Sequence, residues 1–120
     1  MATALFVIDI QNDLATDPET RVPHSQRIRA AGEKILATAR TILAAQDGKP
    51  GSPRSVIVFV QHEEQPGDGP LVRGTEPWEL VFEPDGDAPG ERRVHKWTRK
   101  SLGRPDVGSH ACPVTNACTR

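Results

Sequence analysis

The run Ala4-Leu5-Phe6-Val7-Ile8-Asp9-Ile10 constrains this chain more than any other stretch. Uninterrupted apolar sequence of this length, rich in β-branched and aromatic residues, reads as a strand covered on both faces inside a parallel sheet. The polar turn Gln11-Asn12-Asp13 follows at once. In open α/β sheets ligands bind outside the carboxyl ends of the strands. Asp9 sits at that end, where a carboxylate must be paired or engaged in chemistry. Asp9 is therefore the first candidate functional residue. A turn-capping Asp, or one held by a buried cation, would satisfy the same pattern.

The next segments complete a parallel unit. From Ser25 to about Gln46 the pattern is helical, with Ile28, Ile35 and Ile42 seven residues apart and Ala31, Leu36, Ala39 and Leu43 widening the apolar stripe. Gly32 within it suggests close approach to a sheet. The cluster Asp47-Gly48-Lys49-Pro50-Gly51-Ser52-Pro53 is a turn, and Ser55-Val56-Ile57-Val58-Phe59-Val60-Gln61 is a second buried strand. Strand, helix and strand in this order form a right-handed crossover with a parallel pair. Residues 11–24 read as loop, and Asp17-Pro18-Glu19 as a possible start of a helical turn. Residues 62–91 are irregular, with one short apolar turn at 76–82. A loop of this length at the ligand-binding end of a sheet is functional or disordered. Arg92-Arg93-Val94-His95-Lys96 reads as a third, weaker strand.

Composition narrows the function classes. The 120 residues make one domain, 1–120. Fifteen basic and sixteen acidic residues leave a net charge of −1, with no basic cluster to bind nucleic acid or an anionic membrane. No run approaches the length of a transmembrane helix, and the N-terminus has no basic n-region or cleavage site. Two cysteines without such a signal point to free thiols in the reducing cytoplasm. His62, His95 and His110 show none of the close spacings of a closed metal site beyond a weak His110-Ala111-Cys112.

By Lys96 the chain resembles the isochorismatase-like cysteine hydrolases, which include nicotinamidases, carbamoyl-amide hydrolases and isochorismatase. The matching stretches are Ala4-Leu5-Phe6-Val7-Ile8-Asp9-Ile10-Gln11-Asn12-Asp13-Leu14 and Val56-Ile57-Val58-Phe59-Val60-Gln61-His62. They continue through Gly74-Thr75-Glu76-Pro77-Trp78-Glu79-Leu80, Val94-His95-Lys96 with Ser101 five residues on, and Val114-Thr115-Asn116-Ala117-Cys118. The resemblance implies a three-layer αβα fold on a parallel sheet. It implies hydrolysis of a small amide or related C–N bond with no cofactor, a small-molecule substrate, and a homo-oligomer as a further association. By the family's pattern Asp9 is the base, Lys96 the cation beside it, and Cys118 the nucleophile that forms a thioester. Val114 and Cys118 would supply the oxyanion-binding N–H groups, with a non-proline cis peptide before Val114. The segment Gln61-His62-Glu63-Glu64 lacks the metal-binding Asp and His set of the nicotinamidase branch. Phosphatases with a nucleophilic Asp after the first strand need an acid two positions on, where this chain has Gln11.

The chain departs from that pattern near its end. Nine residues, 102–110, separate Ser101 from Ala111, too few for a crossover helix and strand. Residues 102–120 are atypical of the family, and only Thr119 and Arg120 follow Cys118. The sequence reads as a hydrolase with an internal deletion between Lys96 and Cys118 and an incomplete C-terminal part. The alternative expectation is a catalytically inactive truncated form that associates with full-length subunits through a free sheet edge.

Overall fold

The computed structural model describes residues 2–47, 51 and 54–97. Strand β1 (Ala4–Ile8) leads through a single helical turn, α1 (Asn12–Ala15), to the long helix α2 (Ser25–Gln46). Strand β2 (Val56–Glu63), a 3₁₀ turn (Glu76–Trp78) and strand β3 (Glu91–Trp97) follow. The three strands form one parallel sheet in the order β1-β2-β3. Leu5 pairs with Ile57 and Val7 with Phe59, while Phe59 pairs with Arg93, Gln61 with His95 and His62 with Lys96. The third strand starts one residue before its expected position and ends one residue after it.

Alternate residues of a strand face opposite ways, and here the two faces differ. On one face Val7, Ile57 and Phe59 are buried with Leu36 of α2 and Leu80, and Leu5, Ile10, Ala39, Leu43 and Phe82 close around them. On the other face Phe6 and Ile8 stand 57% and 54% exposed. The expectation that β1 is covered on both sides is therefore corrected: among the described residues, helix covers only one face of the sheet.

Helix α2 spans the expected residues, but it presents a different stripe. Leu36 is buried and Ala39 and Leu43 pack on the core, whereas Ile28, Ile35 and Ile42 are exposed. Gly32, Leu36, Ala39 and Leu43 follow the i, i+4, i+7, i+11 spacing of one helical face. A Cβ at Gly32 would lie 2.7 Å from the Phe82 ring. We expect Gly32→Val to destabilise the fold by about 1–3 kcal/mol through this overpacking, read as a lower urea midpoint with an unchanged slope.

The end of α2 is tied to the sheet by side chains. Ser55 N donates to Gln46 Oε1 at 2.8 Å, and Gln46 Nε2 donates to Ser55 Oγ at 3.2 Å. Within residues 11–24, expected to be loop, α1 forms a helical turn. Asp17 Oδ1 accepts from the Glu19 N–H and Asp17 O from the Arg21 N–H, both at 2.9 Å, so the Asp-Pro-Glu segment forms one capped helical-type turn and goes no further.

Residues between β2 and β3 are anchored despite their irregular path. Leu71 and Leu80 are buried. The Asn12 N–H donates to Glu79 O and the Val81 N–H to Ile10 O, both at 2.9 Å. These bonds fasten the loop across the carboxyl end of β1.

Candidate functional site

The sheet ladder carries Asp9 one step past β1, where its N–H donates to Val60 O at 2.9 Å. Continuing the register would place Asp9 opposite Gln61, on the face that packs against α2. Lys96 pairs with His62 and lies on the opposite face. The backbone resolves the conflict: Asp9 has φ 56, a left-handed conformation that few residues other than glycine adopt. Leaving strand geometry there lets the carboxylate meet Lys96, whose Nζ donates to Asp9 Oδ2 at 2.5 Å. Asp9 Oδ1 is buried and has no hydrogen-bond partner among the described residues. Strain of this kind persists only where its surroundings enforce it, and it concentrates at functional sites.

Gln11 supplies the enforcement. It is fully buried, and its amide spans the strand end. Oε1 accepts from the His62 N–H at 2.8 Å, while Nε2 donates to His62 O at 2.9 Å and to Trp78 O at 2.7 Å. Gln61, also buried, donates from Nε2 to the same Trp78 carbonyl at 2.8 Å. Two glutamines at neighbouring strand ends thus hold the 3₁₀ turn over the site. Sequence reading gave neither a role in the site, although an amide closing an apolar run was a visible signal.

Beside the pair, the Trp78 ring stacks on His95, with centroids 5.9 Å apart and planes 7° from parallel. Burial holds His95 below the usual imidazole range. Arg73 and Arg93 push in the same direction, and Glu63 opposes them. Glu63 Oε2 accepts from Arg73 Nε at 2.9 Å and lies 3.8 Å from His95 Nδ1. The imidazole is therefore neutral near pH 7, which suits a ring stacked on an indole.

Of the residues named from sequence, the structure brings Asp9 and Lys96 together. Cys118 and Val114 lie outside the described residues, as do Ser101, His110 and Cys112. Among the described residues no group of three or more His, Cys, Asp or Glu side chains could hold a metal ion. No described helix is long and apolar enough to cross a membrane.

Among solved structures, an isochorismatase-like hydrolase from Alkaliphilus metalliredigens matches this chain with a TM-score of 0.58 and 26% identity. The match covers 79% of this chain and 50% of that one. The fold is isochorismatase-like. Three parallel strands with their crossover helix carry the likeness, and the chain spans half the length of that neighbour. No family model matches the chain, and no curated protein does. At the carboxyl end of this isochorismatase-like sheet, an ammonium holds one carboxylate oxygen while the other has no partner among the described residues. A carboxylate so placed can take a proton from a group brought against it.

Proposed function

We propose that this chain is a hydrolase of the isochorismatase-like kind, acting on a small amide or related C–N bond through a cysteine thioester. The observation that carries the reading is the contact between Asp9 and Lys96, 87 residues apart in sequence. In this scheme Asp9 takes the Cys118 thiol proton, and the thiolate sulfur bonds to the substrate carbonyl carbon. The oxyanion is held by the N–H groups of Val114 and Cys118. The C–N bond breaks as the nitrogen leaves with the proton returned from Asp9. Water then gives a proton to Asp9 and adds to the thioester, releasing the acid and restoring the thiol. Lys96 keeps the carboxylate oriented and favours the thiolate by its charge. The scheme uses no cofactor and no metal.

Thiol reactivity tests the reading without knowledge of the substrate. Near pH 7, Cys118 is expected to alkylate with iodoacetamide at least about tenfold faster than Cys112, because an adjacent base and cation raise the thiolate fraction. Asp9→Asn and Lys96→Met should each remove most of that difference, with peptide mass spectrometry reporting both sites. Equal rates at the two cysteines, together with no effect of Asp9→Asn, would leave the catalytically inactive reading in its place.

A further inference from the structure

The sheet face that packs on α2 ends in charged pairs around one imidazole. Gln61 and Glu63 of β2 lie on it with Arg93 and His95 of β3, and Gln61 stands opposite His95 in the ladder. Glu63 accepts from Arg73, and two residues later Thr75 opens the 3₁₀ turn. The Trp78 ring of that turn lies flat against His95. The cover over Asp9 thus has side-chain fastenings of two kinds. The Gln11 and Gln61 amides are neutral at any pH, whereas the Glu63–Arg73 ion pair lies beside a ring that titrates.

The charges near His95 are matched without it. Arg73 is paired with Glu63 and Arg93 with Glu83, while Lys96, on the opposite face, is paired with Asp9. Glu76 and Glu79 flank Trp78 in the turn, and the charges that act on the ring are those of Glu63, Arg73 and Arg93. A proton on His95 adds positive charge beside two arginines, 3.8 Å from a carboxylate that one of them already holds. An imidazolium donates from both nitrogens, so Nδ1 then competes with Arg73 for Glu63 Oε2. Arg73 keeps 61% of its side chain in solvent and His95 31%. Water therefore takes up the displaced guanidinium more readily than the imidazolium.

We propose that His95 is an acid-operated catch: on taking a proton it draws the Glu63 carboxylate away from Arg73 and frees the segment that leads from Arg73 to the turn over Asp9. Neutral His95 leaves the ion pair intact and the cover fastened. The fold resists the proton, because burial and then Arg73 hold the ring below its ordinary value of 6.5, with Arg93 adding to them and Glu63 opposing. The unfolded chain takes that proton first. Stability contributed by neutral His95 is therefore full above pH 6.5 and is lost as pH falls from there through the folded-state value. The device needs no catalysis, so its test is independent of the thiol chemistry.

NMR on the full chain tests this between about pH 7.5 and about pH 5, above the ordinary carboxylate range. The Arg73 Nε–H signal is expected to lose its Glu63-bonded shift with the same midpoint as the His95 ring protons. Over that range the Thr75 and Trp78 amides, bonded to Val72 O and Thr75 O, should lose at least about tenfold of their protection against hydrogen exchange. The Val56 amide, bonded to Thr3 O, should keep its protection. His95→Phe keeps a ring against Trp78 and removes the proton, so both changes should vanish in it. An Arg73 signal that ignores the His95 midpoint would overturn the proposal. So would unchanged protection at Thr75 and Trp78 in the wild type, or a loss of protection that persists in folded His95→Phe.

Discussion

Gln11→Met is expected to cost this chain about 3–5 kcal/mol, seen as a fall in the urea midpoint with an unchanged slope. Methionine keeps the length and most of the volume of glutamine, so the loss reports hydrogen bonds more than packing. Gln11 is fully buried, and its amide satisfies both the N–H and the C=O of His62 as well as Trp78 O. Removing it leaves the two His62 groups without that partner, at about 1–3 kcal/mol each. Trp78 O keeps its second donor, Gln61. Against a typical total of roughly 5–15 kcal/mol, this is a large share of the margin. The same change should loosen the site, because Asp9 holds its left-handed backbone two residues before that anchor. An Asp9 carboxylate signal in NMR that stops responding to Lys96→Met in the Gln11→Met background would show the loosening. A midpoint within error of wild type would show that the amide is dispensable.

Much of the fold was legible because period and length carry it. The two apolar runs and the intervening helical pattern gave the parallel pair, and α2 begins and ends where the sequence placed it. The facing of α2 was misread for a physical reason. Ile28, Ile35 and Ile42 share a period of seven with Leu36 and Leu43, and a period does not fix a phase. The decisive residues are the small ones. Gly32 and Ala39 let the Leu36 stripe approach the sheet, and the Phe82 ring occupies the space over Gly32. Uncovered Phe6 and Ile8 were illegible for a different reason: an apolar run states that burial is favourable and does not state what supplies the cover. In the site, Asp9 was legible as a carboxylate at a strand end and Lys96 only by resemblance, and the strained backbone that joins them across opposite sheet faces leaves no trace in residue type. Irregular composition between β2 and β3 also hid a well-fastened loop, since its anchors are backbone groups paired with Ile10, Asn12 and two glutamines.

The second large effect lies at the other end of β3, where Glu91 starts the strand that delivers Lys96. Its side chain is 1% exposed and accepts from Arg40 Nε at 2.7 Å and Nη2 at 3.0 Å, and from the Asp85 N–H at 2.7 Å. Arg40 Nη2 also donates to Glu83 O at 2.9 Å, so one guanidinium joins α2, the loop and β3. Breaking such a pair by removing one partner costs about 3–5 kcal/mol when the survivor stays buried. Arg40 keeps 40% of its side chain in solvent, which places Glu91→Ala near the lower limit, at about 3 kcal/mol. The hydrogen bonds from Arg40 hold the Glu91 carboxyl below its ordinary value of 4.5, aided by the Asp85 N–H and opposed by burial. A carboxyl with a lowered folded-state value contributes stability that is fully present above the unfolded value. That contribution is lost as pH falls through the folded value. Wild-type stability should therefore decline below about pH 4.5, and Glu91→Gln should show a shallower acid limb. Urea midpoints measured for both proteins from pH 7 down to pH 3 should converge at the acid end. A gap of constant size across that range would mean that the charge of Glu91 does not hold α2 to β3.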